Sequence, residues 1–501
     1  MTSGILEQSK IRRRGMSNSR TSPNQIPQKC PWVMRVGVFF DGTGNNKEND
    51  RASKKMSNIA KLSDTYKDMI DEENLKQYTW FYKNGVGTVN NKSNVLSGLA
   101  LGEGGIERVH EAIKQVATFF DGRPCSKEFI VDVFGFSRGA AQARHFINEL
   151  HDRAAGPNVK VGFVGIYDTV ASFAGGWIGA LDPTDLISDD EAGDNINRYK
   201  ISEYQGQRRV RRGRRIVEAP YYKDIIKDFN FHLSSASADY IEHFVARDEV
   251  RKNFPLSSLE PNDGGFLNQK TYIGVHSDIG GGYAEDEGEI ENKLDWIAEY
   301  KEVPGARIGG YDRAYPHLSD QYRKVERYSE AEVEEIRQAY WKLGYNISEE
   351  RLGRKVWLVG KKNVTNTLSN VYLKLMHKKA VSFDVPFDDL PRGKEYDIPS
   401  ELKDYWESVS NGNIYPASRE RDIYANFVHQ SDIDAEDRAP IYKPTKYFSD
   451  LANEPDVGEI RTIFPNDPTF AVQPDENDNM YANGAEINTD NLASRREGKN
   501  T

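Results

Sequence analysis

Residues 128–144 read Glu-Phe-Ile-Val-Asp-Val-Phe-Gly-Phe-Ser-Arg-Gly-Ala-Ala-Gln-Ala-Arg. A β-type apolar run closes at Gly135, and a helix-forming run opens after Ser137. This is the strand–turn–helix setting in which Gly-x-Ser-x-Gly presents a serine hydroxyl at the tip of a sharp turn. Gly135 and Gly139 are expected to let the chain turn without a Cβ clash. The five-residue pattern alone is weak, and its bland reading is a buried strand–helix turn with an idle serine. The flanking context selects Ser137 as a catalytic nucleophile.

The chain around this motif alternates. Strands are predicted at Val33–Phe40, Tyr78–Lys83, Phe129–Phe134 and Val161–Tyr167, with helices at Ser57–Tyr66, Ile106–Phe120 and Ala140–Leu150. Such alternation implies an α/β fold with a mainly parallel central sheet covered by helices on both faces. Beyond Asp168 the alternation stops, and Ala174–Asp194 is rich in Gly and Asp. The pattern predicts a helix over Asp239–Val250 and a strand over Thr271–Val275. After about residue 290 it predicts mostly helical structure, best at Ala331–Leu343 and Leu368–Lys379. The organisation that follows is a flexible polar arm (1–30), a catalytic α/β core (31–290) with an insertion at about 171–238, a mostly helical C-terminal or lid region (291–464) and a mobile polar tail (465–501). Long insertions of this kind often serve as lids.

Composition narrows the class. The 501 residues are 38% hydrophobic and 29% charged, enough for one large core or a core with a smaller unit. A formal net charge of −10 argues against a general nucleic-acid binder. Two cysteines, Cys30 and Cys125, make no disulfide framework and suit a reducing cytoplasm, leaving a single bridge open. The first residues lack the apolar stretch of a secretory signal. Val161–Leu181 carries one formal charge, Asp168, but a spanning helix there would bury that carboxylate in lipid at a cost of about 3 kcal/mol. The segment reads instead as a buried strand followed by a glycine-rich loop.

A serine hydroxyl needs a base, and the base needs an acid to orient it. In α/β-hydrolases the order is Ser, then Asp or Glu, then His. Asp168 ends the strand Val161–Tyr167, and His276 follows Thr271–Val275 in Gly-Val-His-Ser-Asp-Ile-Gly-Gly-Gly-Tyr. A parallel sheet would put both at the edge that carries Ser137. His243 and His429 compete as bases, and Asp248 and Asp278 as acids. Asp278 has two readings, a brace for its loop or a cation ligand. The oxyanion needs preorganised N–H donors. The residue after the nucleophile, Arg138, supplies one, and Gly42 or Thr43 in Asp41-Gly-Thr-Gly the other; a plain turn at Asp41 fits equally. Read as a phosphate cradle, that loop lacks the Lys-Ser/Thr of a P-loop. No metal or organic cofactor is required.

The run Arg208-Arg-Val-Arg-Arg-Gly-Arg-Arg215 has two readings, attraction to anionic headgroups or a solvated loop or partner contact. Trp177 and Ile178, in the apolar stretch before it, suit a lipid-docking loop. Trp177, Ile178, Arg208, Arg209, Arg211 and Arg212 are therefore candidate membrane or substrate contacts.

Phe39-Phe-Asp-Gly-Thr-Gly-Asn-Asn46, Asn84-Gly-Val-Gly-Thr88, Gly135-Phe-Ser-Arg-Gly-Ala140, Tyr167-Asp-Thr-Val170 and Gly274-Val-His-Ser-Asp-Ile-Gly-Gly-Gly-Tyr283 occur together and in order. Over residues 33–285 this resembles the bacterial α/β-hydrolase family that includes the first class of type VI secretion lipase effectors. The resemblance implies a phospholipase of A1 or A2 type, made in the cytoplasm without a signal peptide and acting in the envelope of a rival bacterium. It also implies a cognate immunity protein, a secretion spike or adaptor partner, a phospholipid membrane as substrate, and Ser137, Asp168 and His276 as nucleophile, acid and base. A non-lipid esterase or amidase of the same fold, or an idle binding or adaptor module, is the competing reading.

Overall fold

The structure is a computed structural model that describes residues 30–88, 105–122, 125–152, 159–171, 198–212, 215–251, 254–284, 286–302, 322–352, 354–429, 431, 461–466, 473–474 and 480–481. In chain order the first half comprises β1 (Val33–Phe40), α1 (Lys47–Ala52), α2 (Asn58–Ser63), β2 (Met69–Asp71), β3 (Lys76–Lys83), α3 (Gly105–Asp121), β4 (Glu128–Phe136), α4 (Arg138–Asp152) and β5 (Val159–Tyr167). A hairpin of β6 (Arg198–Arg212) and β7 (Arg215–Asp228) precedes β8 (Tyr240–Ala246), β9 (Leu256–Ser257), β10 (Leu267–Tyr272) and the short α5 (His276–Gly280). Then come β11 (Asp286–Glu302), β12 (Tyr322–Glu326), α6 (Glu330–Lys342), β13 (Asn346–Leu352) and β14 (Lys355–Thr365). Helices α7 (Leu368–Val381), α8 (Lys403–Ser410) and α9 (Glu420–Phe427) and the strand β15 (Ile463–Phe464) follow.

The central sheet has seven strands in the order β10-β8-β5-β4-β1-β3-β2. Every pairing is parallel except that of the edge strand β2 with β3. Parallel strands buried on both faces lose the alternation of half-exposed strands and read as continuous apolar runs. In β5, Val161, Val164 and Ile166 enter one core while Phe163 and Tyr167 enter the other. The first core packs against α3 and α4, through Val109, Val116, Phe146 and Ile147 among others. The second is closed by α2 and the C-terminal helices, with Leu368, Val371, Tyr372, Leu375 and Met376 of α7 set among Phe39, Phe134 and Phe163. Each such side chain taken from water contributes roughly 1.5–3 kcal/mol, so the C-terminal helices are a structural layer of the core.

The helix expected over Asp239–Val250 is a strand. Tyr240–Ala246 is buried throughout and lies between β5 and β10. Its aromatic and β-branched residues suit a central strand, and periodicity cannot separate a fully buried strand from a buried helix. The strand expected over Thr271–Val275 lies earlier, at Leu267–Tyr272. The mostly helical expectation after residue 290 holds for α6 to α9 only. Between residues 286 and 365 a separate four-stranded antiparallel sheet forms, ordered β12-β11-β14-β13, with its own small core of Ile297, Ala298, Val356 and Leu358. Cys30 and Cys125 form a disulfide with Cα atoms 6.1 Å apart, tying the entry of β1 to the approach to β4.

Candidate active site

The strand order defines where a ligand site belongs. From the central β1 the chain moves outward to β3, then returns to β4 on the other side and continues through β5, β8 and β10. Loops leaving β1 and β4 thus diverge, and the crevice at their carboxyl ends is the position at which open α/β sheets bind ligands. Register brings the relevant residues level. Phe40 pairs with Gly135 and Phe136 with Tyr167, so the Asp41–Thr43 loop, Ser137 and Asp168 emerge side by side.

The turn after β4 is held by close contacts. Ser137 has φ of +57°, in the left-handed region that costs an L-residue about 1–2 kcal/mol. The two motif glycines are needed for space. A Cβ on Gly139 would lie 2.3 Å from Phe40 O and 2.4 Å from Asp41 O, and one on Gly135 would lie 2.6 Å from Ala140 Cα. The start of α4 therefore rests directly on the ends of β1 and β4. Ser137 N–H donates to Tyr167 O at 3.1 Å, while Ser137 O accepts from Ala140 N–H at 3.0 Å and Val170 N–H at 3.3 Å. The residue is fastened on both sides of Asp168, at the positive end of a fifteen-residue helix.

Asp168, also at positive φ (+40°), is fully buried. Its Oδ2 lies 2.5 Å from His276 Nδ1. Arg461 donates through Nη1 to Oδ1 at 2.7 Å and through Nη2 to Oδ2 at 2.8 Å, and Ala246 N–H donates to Oδ1 at 2.9 Å. Burial alone would raise this carboxyl's pKa, but the Arg461 charge and the His276 and Arg461 bonds hold it far below the ordinary aspartate range. With Asp168 ionised, Nδ1 carries the imidazole proton and Nε2 the lone pair. Burial depresses the pKa of His276 despite the Asp168 contact, so the ring is neutral at neutral pH. The ring packs on Phe136 at 4.6 Å between centroids and edge-on against Phe254 at 4.9 Å. Its backbone N–H donates to Glu249 Oε2 at 3.2 Å. No hydrogen bond joins Ser137 Oγ to His276 among the described residues.

The competing residues have other occupations. His243 accepts Thr169 N–H at Nε2 (3.1 Å) and meets Gln269 through Nδ1 (3.0 Å), and burial lowers its pKa to about 3. Asp248 accepts Gly274 N–H and the Tyr424 hydroxyl, both at 2.7 Å. Asp278 is a brace: it accepts Val275 N–H and both the backbone and Nδ1 protons of His429, whose ring stacks on Tyr283. Among the described residues no cluster of three or more His, Cys, Asp or Glu has the arrangement to hold a metal ion.

In the β1 loop, Gly42 N–H donates to Asp41 Oδ1 at 2.7 Å, whereas Thr43 Oγ1 is buried without a hydrogen-bond partner. Asp41 also accepts the hydroxyls of Tyr82 (2.5 Å) and Ser57 (2.7 Å), and burial still pushes its pKa up to about 6. Arg138 is half-buried at the first turn of α4, and the desolvation of its guanidinium lowers its pKa to about 10. Arg208, Arg209, Arg211 and Arg212 stand on β6 near the tip of the β6–β7 hairpin, in paired strand and not in an irregular loop. Trp177 and Ile178 lie outside the described residues. Sequence patterns do not anticipate Arg461, Glu249 or Phe254 at the site. Arg461 comes from a segment 293 residues beyond Asp168, and no local pattern marks it. No helix among the described residues is long and apolar enough to cross a membrane.

No curated protein matches the chain. Among solved structures, one of the Tle1 effector bound to the VgrG spike of the type 6 secretion system is 20% identical, covering 90% of this chain and 98% of its own, with a TM-score of 0.52. An uncharacterised protein from Pseudomonas aeruginosa is 18% identical over 79% of this chain and 53% of its own, with a TM-score of 0.43. At the level of sequence families, residues 35–153 and 142–300 match the model of the T6SS phospholipase effector Tle1-like catalytic domain. That span takes in the elbow, both members of the Asp168–His276 pair and more than half of the residues, and the chain belongs to the Tle1-like family of type VI secretion phospholipase effectors.

Proposed function

We propose that the chain is a serine phospholipase of A1 or A2 type that hydrolyses acyl esters of glycerophospholipids. The observation that carries this reading is the buried Asp168–His276 hydrogen bond beside a serine held at positive φ on the same sheet edge. His276 Nε2 takes the Ser137 proton as Oγ attacks the acyl carbonyl, and Asp168 keeps the imidazole in the productive tautomer and stabilises the imidazolium. The Ser137–His276 hydrogen bond closes as substrate binds, in keeping with the long or open catalytic contacts common in free enzymes. Arg138 N–H and a donor from the β1 loop receive the oxyanion. Of the loop pair, Thr43 suits the role better, because Gly42 N–H is committed to Asp41. The lysophospholipid leaves with the proton from His276, and water cleaves the acyl-enzyme by the same base.

The structural neighbour is an effector bound to a VgrG spike, and we extend a spike partner to this chain. Secretion into the envelope of a rival bacterium and a cognate immunity protein in the producer complete the reading as an antibacterial effector. The test is turnover of a phospholipid with two different acyl chains, read by mass spectrometry, together with fluorophosphonate labelling. Release of one chain by the wild type, and loss of both signals by several orders of magnitude in Ser137→Ala, is the expected result. Unchanged turnover in that variant would end the mechanism. Hydrolysis of soluble short-chain esters with no rise on vesicles would move the substrate to a non-lipid ester.

A further inference from the structure

The acid of the dyad is shared. Asp168 Oδ2, which meets His276 Nδ1, also accepts from Arg461 Nη2, and Oδ1 accepts from Arg461 Nη1. The two-pronged contact sets the plane of the carboxylate, because a guanidinium fork matches both oxygens at once. Arg461 is itself held: its Nε donates to Phe254 O at 2.7 Å, and the ring of Phe254 abuts His276. The segment around it is stitched to the core. Ile463 and Phe464 of β15 pair in parallel with Leu256 and Ser257 of β9, and Ser257 N–H donates to Thr169 O, next to Asp168. Asn466 Nδ2 donates to Leu233 O at 2.7 Å, and its Oδ1 accepts from Leu233 N–H and from the buried Arg144 of α4.

We propose that Arg461 is a positioning residue of the catalytic dyad, so that segment 461–466, far from the hydrolase motifs in sequence, completes the active centre and sets how strongly Asp168 supports His276. The inference rests on the serine-hydrolase reading. A carboxylate stripped of water needs a counter-charge to stay ionised, and Arg461 supplies it in the resting enzyme, when His276 is neutral. The same counter-charge draws on the anion that must stabilise the imidazolium, which makes His276 a weaker base. Asp168 is faced by His276, Arg461, His243 and Arg251, and the His276 ring by Asp168, Glu249 and Arg251. Within this set Arg461 is the cation that touches the acid directly.

The experiment uses the full chain. Arg461→Ala and Arg461→Lys are compared with wild type for kcat and KM on phospholipid vesicles across pH, for thermal unfolding, and for His276 titration by NMR of ring-labelled histidine. For Arg461→Ala, turnover (kcat) should fall by a factor of about 10 or more while KM stays within about 2-fold, and the acid limb and the His276 titration should both shift upward. Arg461→Lys should recover part of the lost turnover, and millimolar methylguanidine should partly restore the alanine variant. A folded Arg461→Ala enzyme with wild-type turnover and an unshifted His276 titration would overturn the proposal. So would a lysine variant that unfolds alongside the alanine variant, with no rescue of either by methylguanidine. A wild-type chain that neither labels with fluorophosphonate nor turns over esters sinks the underlying hydrolase reading instead, a result the histidine titration does not mimic.

Discussion

Adding one methyl group at Gly139 tests whether the elbow depends on contact between α4 and the end of β1. The Cβ of an alanine there would lie 2.3 Å from Phe40 O and 2.4 Å from Asp41 O, where real Cβ atoms essentially never approach closer than 3.0 Å. Both obstacles are backbone carbonyls at the end of a central strand, so no side chain can swing aside. Helix and strand must separate by about 1 Å, an overpacking that costs about 1–3 kcal/mol in stability. The same separation moves Ser137 away from the Gly42–Thr43 loop. A 1 Å misplacement of reacting groups costs on the order of 100-fold in rate, which is about 2.7 kcal/mol of barrier. Gly139→Ala should therefore label with fluorophosphonate about 100-fold more slowly than wild type and melt a few degrees lower. Gly122→Ala is the control, since the nearest atom to its added Cβ is 3.6 Å away. If Gly139→Ala keeps the wild-type labelling rate and melting temperature while Gly122→Ala is neutral, the argument that this contact shapes the elbow is wrong.

Asp168→Asn should slow turnover by about 10⁴-fold, because the amide no longer selects the imidazole tautomer; it should also destabilise the chain by about 3–5 kcal/mol, measured by denaturant unfolding, because Arg461 loses its buried counter-charge. The kcat/KM profile should have its acid limb below pH 6.5, since His276 must be neutral to act and burial lowers its pKa; a limb above 6.5 contradicts the described environment. His243, buried neutral with its pKa lowered to about 3, adds stability that is present above about pH 6.5 and is lost as pH falls toward 3, because only the unfolded chain takes the proton there. Asp41 acts with the opposite sign: raised to about 6, it withdraws stability as pH rises from about 3.8 to 6, so the unfolding free energy measured against pH should flatten in His243→Gln and steepen in Asp41→Asn.

The parts of the fold legible in the sequence are those encoded locally. The strand Val33–Phe40 has the same limits in sequence and structure, and α4 and β5 agree to within two residues, because long apolar runs bounded by glycine, or helical spacing over about eleven residues, leave little freedom. The proximity of Asp168 and His276 is readable for a related reason: both follow strands, and a parallel sheet gathers strand ends at one edge. The elements that escape the sequence have physical causes as well. Tyr240–Ala246 has no polar face to betray its period, since both faces are covered. The sheet from residue 286 to 365 is built from strands crowded with charge, and its register slips at three places along β11, which erases the period-two signal.

Arg461 shows why the rest of the site is not legible. Nothing in Arg461-Thr-Ile-Phe464 distinguishes it from an ordinary surface strand. Its meaning comes from β15 lying beside β9, which in turn lies beside Thr169, a chain of tertiary neighbours that no local pattern encodes. Those contacts have an energetic consequence. Without segment 461–466, Asp168 would face a low-dielectric pocket with His276 as its direct side-chain partner, and the pair would have reason to share a proton. Arg461 supplies the counter-charge that keeps the acid ionised and the imidazole neutral, which is the state a general base requires. A chain ending before residue 461 should therefore fold its sheet and yet label with fluorophosphonate at least about 10-fold more slowly. Circular dichroism beside labelling kinetics measures both, and a truncated chain that labels at the full rate would show that the dyad does not depend on the docked arginine.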